Sequence, residues 1–364
     1  MNTDKAYINR IGLISPQKTA GDSGFLTEIV EYNTDWLKCI EPSYRDFIEP
    51  LQARRMSRLI KMGIAAARMC LADGPPLCSP PGGDMGGVDA IITGTGLGSV
   101  EDTEKILGTI HLDQPFLNPT PFMQSTYNTI SSQIAIHLKC HGYNSTYVHR
   151  SFSFESGLQD ALMQLDEGSA ENILAGGIDE MTMNHLNIVR RLGEWKMEPF
   201  NNLELLSYKT KGALAGEGAG YFLVSSDLNE KTYCSLRGVA TMYRPLSSEE
   251  ISQWISEMLD SCRIPMNDID LVILGLNGDR EPDNLYTEII NQVFEQKPLA
   301  YYKHMSGEYY TSAAFALWAA ANIIRTQTCP EILKVNGFTS TLFKNILIYN
   351  HFRGINHSVM IVSG

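Results

Sequence analysis

Short apolar runs alternate with longer stretches whose apolar positions recur every three or four residues. Val88–Thr93, Asn172–Ala175, Gly220–Ser225, Ile269–Leu274 and Val359–Val362 read as buried strands. The first ends in the turn Gly94-Thr95-Gly96-Leu97-Gly98 and the second at Gly176-Gly177. Met56–Leu71, Gly157–Glu167, Ser247–Cys262 and Ala313–Arg325 carry helical periodicity. Strands separated by helices predict α/β layering with a largely parallel sheet. Residues 74–87, rich in proline and glycine, read as a surface loop rather than a domain boundary. A division falls more naturally near Asp227, giving an N-terminal half over 1–226 and a C-terminal half over 227–364.

Composition narrows the functions available. Hydrophobic residues at 43% and charged residues at 19% describe an ordinary globular chain. No run reaches the roughly 20 apolar residues of a membrane span, and the first residues lack the features of a signal peptide, so a cytoplasmic location is expected. A net charge of −12 without a basic run excludes a nucleic-acid partner and disfavours direct docking of an acidic one. The seven cysteines form no CxxC pair and the eight histidines no HExxH, so neither a metal nor another cofactor is expected. Gly94–Gly98 has the wrong spacing for GxGxxG and no Walker lysine, which leaves it a tight turn.

Six motifs are weak singly but informative in order: RRMSRLIKMGIAAA from Arg54, VDAIITGTGLGSVED from Val88, NPTPFMQSTYNT from Asn118, NILAGGIDEMT from Asn172, LAGEGAGYFLV from Leu214, and the turn Lys303–Glu308. Together the chain resembles the β-ketoacyl-acyl-carrier-protein synthases. In flavour it is similar to synthase-like members of bacterial aryl-polyene and flexirubin-type pathways. The resemblance implies a thiolase-like fold, two similar halves stacked in five αβαβα layers, usually dimeric.

It also implies where catalytic residues belong. The family uses a cysteine at the start of a buried helix, whose amides favour thiolate and oxyanion, and two histidines that serve decarboxylation. Ser151 lies 24 residues before Ala175 and nine after Gly142, which is the cysteine's place. The first histidine falls at Leu276, or at the loosest alignment at Asn277; the second falls at Glu308. Leucine moves no proton, an ionised glutamate opposes an enolate, and a serine needs a base. At the family's C-terminal glycine-rich loop, Phe352 and Asn356 correspond, but Arg353 replaces a glycine in a loop that gates acyl entry.

These departures imply a non-condensing subunit, akin to a chain-length factor, that pairs with an active ketosynthase and bounds its acyl tunnel. Phe122 and Met123 are candidates for the tunnel wall or plain interface, and Phe152 and Phe154 for filling the vacated cavity. The acyl carrier protein then engages only indirectly, through the active partner. Two other readings remain open: an active acyltransferase using Ser151 with His149 or Glu308 as base, and a structural homodimer. In the bland reading Ser151 is a helix N-cap.

Overall fold

The computed structural model describes residues 6–19, 25–72, 87–112, 116, 118–208, 210–340 and 342–364. The loop expected over 74–87 therefore lies, apart from Gly87, outside the described residues.

Ten strands make one sheet: β1 (Tyr7–Ile14), β2 (Ala90–Gly94), β3 (Tyr143–Tyr147), β4 (Asn172–Asp179), β5 (Gly218–Ser225), β6 (Cys234–Tyr243), β7 (Leu271–Leu274), β8 (Leu299–Tyr301), β9 (Asn345–Phe352) and β10 (Asn356–Ser363). Their order is β8-β7-β9-β10-β6-β1-β5-β4-β2-β3. Only Tyr7↔Ser235 and Ile8↔Cys234 join β1 to β6. On either side of that narrow seam the pairing is the same. β1-β5-β4 and β6-β10-β9 are antiparallel, followed by the parallel β4-β2-β3 and β9-β7-β8. Two half-sheets of one topology result.

The expected largely parallel sheet is thus corrected to a mixed one. A parallel neighbour needs a crossover, whereas β9 returns directly as β10 through the three-residue loop Arg353–Ile355 and so pairs antiparallel.

Helices supply the other layers: α1 (Arg58–Leu71), α2 (Val100–His111), α3 (Pro119–Ser125), α4 (Thr129–Leu138), α5 (Ser153–Glu167), α6 (Met183–Arg191), α7 (Ser248–Ser261), α8 (Arg280–Ile289) and α9 (Ala313–Thr326). α1 and α4 bury Leu59, Ile64, Ile130 and Ile134 against one face of the first half-sheet. α7 and α8 bury Ile251, Ile255, Tyr286 and Ile289 against the far face of the second. Between the half-sheets lie α5 and α9, sharing one core with Ile92, Ile173, Phe222, Ile273, Ile348 and Met360. The stack is therefore α, β, α, β, α. α9 is apolar nearly all round, as a helix enclosed on both faces must be; its alanines let both sheets approach.

Two of the sequence motifs meet directly. Glu217 of the GEGAG segment is fully buried and accepts from Arg58 Nη1 at 2.8 Å, from the Met181 amide at 3.0 Å and from the Cys39 amide at 3.0 Å. Among the described residues no helix is long and apolar enough to cross a membrane.

Candidate functional site

β3 ends at Tyr147, and the chain turns through a short 3-10 segment, Arg150–Phe152, into α5. The Ser153 hydroxyl pins this elbow: it accepts from the His149 amide at 2.8 Å and lies 2.9 Å from the Thr95 carbonyl of the Gly94–Gly98 turn. Ser151 is buried in the elbow, and its Oγ accepts from Asn356 Nδ2 at 2.8 Å. The N-cap reading of Ser151 is thereby corrected. The 3-10 turn shifts the cap position to Phe152, which makes no side-chain cap bond, and the serine hydroxyl bonds across to β10 instead. His149 is exposed, its ring edge-on to Phe152 at 5.4 Å. Among the described residues neither His149 nor Glu308 hydrogen-bonds Ser151.

The other two positions form one buried polar cluster. Glu308 Oε2 accepts from Asn277 Nδ2 at 2.8 Å and from Lys303 Nζ at 2.6 Å, while Oε1 lies 3.3 Å from the Ser312 hydroxyl. Lys303 is fully buried. Gly307, at φ +71, makes the turn that brings Lys303 back onto Glu308, a conformation glycine adopts without strain. Of the two residues proposed for the first histidine, Asn277 is the one that meets Glu308; Leu276 packs in the core beneath α7 and α8. His304, the nearest histidine in sequence, bonds the Ile332 carbonyl at 2.9 Å through Nε2, and burial lowers its pKa to about 3.

An aromatic group lies beside Leu97 of the Gly94–Gly98 turn. Tyr310 packs at a tilt against Phe352, ring centroids 5.1 Å apart, and lies so close to Gly96 that a Cβ there would be 2.3 Å from the Tyr310 ring. With Trp195 and Tyr309 they leave a cavity of about 20 Å³, room for about one water. Arg353 sits outside this plug, half exposed, paired with Glu194 at 2.8 Å.

The two phenylalanines near Ser151 diverge. Phe152 lines the outer mouth, whereas Phe154 points into the central layer, 5.7 Å from Phe222. Residues two apart at a helix start face opposite ways, so Phe154 fills core rather than a vacated catalytic cavity. Phe122 and Met123 lie on α3, 62% and 59% exposed.

Sequence reasoning missed Glu155, in the first turn of α5. It is fully buried, accepts from the Ser358 hydroxyl at 2.9 Å, and burial raises its pKa to about 7. His351 and His357 pair across the β9–β10 hairpin, and burial holds both neutral, His357 at about 4. Only structure locates such groups, because nothing in the sequence distinguishes a buried glutamate in a helix. Among the described residues no group of His, Cys, Asp or Glu is arranged to hold a metal ion.

The stacked half-sheets and the elbow after β3 define a thiolase-like ketosynthase fold. Residues 34–229 of the 364 match the β-ketoacyl synthase N-terminal domain, and the chain belongs to the β-ketoacyl synthase family. No curated protein matches it in sequence. Among solved structures it is similar to a β-ketoacyl synthase from Burkholderia phymatum STM815, with TM-score 0.81 and 14% identity over 99% of both chains. It is also similar to the ishigamide ketosynthase/chain length factor, with TM-score 0.76 and 17% identity over 98% of each. A third is the ketosynthase ApeO in complex with its chain length factor ApeC from Xenorhabdus doucetiae, with TM-score 0.75 and 15% identity over 99% of this chain and 98% of that one.

Proposed function

We propose that this chain is a non-condensing synthase-like subunit that pairs with an active ketosynthase and shapes its acyl tunnel. The observation that carries the reading is the Asn277–Glu308–Lys303 cluster. Where the family needs two proton-handling, enolate-stabilising imidazoles, this chain holds an amide and a carboxylate already neutralised by a buried ammonium. An enolate brought there would face the carboxylate, at a cost set by the low local dielectric. Ser151 adds no nucleophile, since among the described residues no base hydrogen-bonds its hydroxyl.

Pairing is supported by the surface. β3 ends the sheet with an open edge, whereas the opposite edge, β8, is covered by Lys334 and Val335. Open edges invite another strand. The exposed apolar side chains Phe122, Met123 and Ile136 on α3 and α4, with Tyr143 on β3, are an apolar set that a partner can bury. In this reading Phe122 and Met123 on α3 would bound the partner's tunnel. The test is co-purification: tagged alone and co-expressed with a candidate active ketosynthase, this chain should elute as a 1:1 complex. A stable homodimer that ignores the ketosynthase supports the structural reading instead.

A further inference from the structure

The seam between the half-sheets is short. β1 pairs with β6 only at Cys234 and Ser235, and among the described residues no strand lies along that edge of β6 beyond Leu236. A groove of about 490 Å³ crosses the edge there, between α5 in the central layer and α7 on the far face. Side chains rather than a strand meet the edge carbonyls. Gln159 Nε2 donates to the Val239 carbonyl at 3.3 Å, and the Cys262 thiol to the Arg237 carbonyl at 3.4 Å. With those carbonyls taken, the groove is shaped for a small molecule and not for an added strand.

Its walls are apolar and rich in sulfur. Leu162 and Cys262 are buried in them, while Met163 stands at the rim, 43% exposed. Gly238 sets the floor: a Cβ there would lie 2.4 Å from Met258 Cε and 2.9 Å from Cys262 Sγ, and would displace both side chains. Methionine thioethers are flexible and polarizable, so they pack against rings and alkyl chains alike. Against this surface stands one charge. Arg237 is the only charged side chain among the described residues that line the groove. It is also the bulge residue of β6: the register with β10 passes from Leu236↔Val362 to Gly238↔Ile361 and leaves Arg237 without an opposite number. A bulge re-aims the side chain it carries, and bulges concentrate beside sites.

We propose that this groove binds a small monocarboxylate with an apolar body, its carboxylate on the Arg237 guanidinium and its body along Leu162, Met163 and Met258. An arginine fork takes a carboxylate bidentately. A cleft of this size, apolar in its lining and with one convergent charge, has the usual form of a small-molecule site. The groove shares no residue with the elbow, the Asn277–Glu308–Lys303 cluster or the α3–α4 face. The inference therefore stands apart from the reading of the chain as a pairing subunit.

The test is calorimetric titration of the purified chain with octanoate and with cinnamate, each beside its uncharged counterpart, 1-octanol or cinnamyl alcohol. At least one acid should bind saturably, about tenfold or more tighter than its alcohol. Tighter binding of octanoate assigns the groove an alkyl body, and tighter binding of cinnamate an aromatic one. Arg237→Gln should abolish the preference for acid over alcohol, and Arg237→Lys should keep part of it. Met163→Asp, at a position exposed enough to leave the fold intact, should weaken the acid about tenfold or more by setting a like charge at the rim. Leu246→Asp, on an exposed apolar residue outside the groove, should bind as the parent does. No saturable binding of either acid at millimolar concentration overturns the proposal. So does an acid that binds no tighter than its alcohol, or equal binding by Met163→Asp, which would put the ligand elsewhere.

Discussion

Asn277 donates its side-chain amide to Glu308 at 2.8 Å, beneath a surface that water does not reach. The contact ties the strand-turn after β7 to the turn before α9, and Lys303 completes it from the same side as a buried countercharge at 2.6 Å. A carboxylate fixed by an ammonium and an amide is a structural element. Both of its oxygens are held by neighbouring side chains, which is the opposite of a group free to reach a substrate.

Removing one charge should therefore be costlier than removing both. Glu308→Gln strands a fully buried ammonium and should destabilise the fold by roughly 3–5 kcal/mol. Lys303→Met together with Glu308→Gln should recover most of that loss. Urea unfolding of the two single variants and the double variant measures the coupling; additive losses contradict an ion pair at this place.

Glu155 sets a pH dependence. Burial raises its folded pKa from 4.5 to about 7, so the folded state binds its proton more tightly than the unfolded one. This contribution is fully present below the unfolded value and is lost as pH rises toward 7. His357, lowered to about 4, works in the opposite sense: its contribution is present above 6.5 and is lost as pH falls. The two slopes offset one another in the wild type, so a difference isolates each. Glu155→Gln should gain on the wild type between pH 4.5 and 7, by on the order of 3 kcal/mol at about 1.4 kcal/mol per unit. A flat difference curve from chemical unfolding across that range refutes the assignment.

Ser151→Cys should not create a condensing enzyme. The thiol would sit at a helix start, but Asn277 and Glu308 provide no imidazole. Malonyl-carrier consumption by the isolated variant should stay at background. Ser151→Ala should cost about 1 kcal/mol in stability through the lost Asn356 hydrogen bond.

Phe122→Asp should leave the melting temperature of the isolated chain nearly unchanged, because the side chain is exposed, and should weaken association with the ketosynthase at least about tenfold if it is an interface anchor. Sedimentation of the mixed chains reads this. An unaltered complex removes α3 from the interface.

Much of this was legible in the sequence, and the gaps have physical causes. The strands and helices that were expected lie within a few residues of their expected bounds, whereas β1, β8 and β9 were not foreseen. β3 (YNSTY) escaped because an edge strand exposed at Tyr143 and Asn144 carries no apolar run. β6 escaped because its apolar positions are interrupted by Arg237 and Gly238 and make no continuous run. Counting from Ala175 and Gly142 put Ser151 at the elbow, since strand and helix lengths on either side are fixed by packing. The turn after β7 has no such anchor, so Leu276 and Asn277 stayed ambiguous until side-chain contacts were on hand. The Lys303–Glu308 pair was invisible for a similar reason. It depends on the left-handed Gly307 turn, which sequence spacing does not encode.

The most direct measurement of the central claim is a condensation assay on the pair. The chain and the ketosynthase that co-purifies with it are prepared together and separately, then supplied with malonyl and acyl carrier proteins. The account predicts product only when the ketosynthase is present, an unchanged rate with Ser151→Ala, and an altered product length with Phe122→Ala. Product from this chain alone, abolished by Ser151→Ala, would contradict it and make the serine a nucleophile.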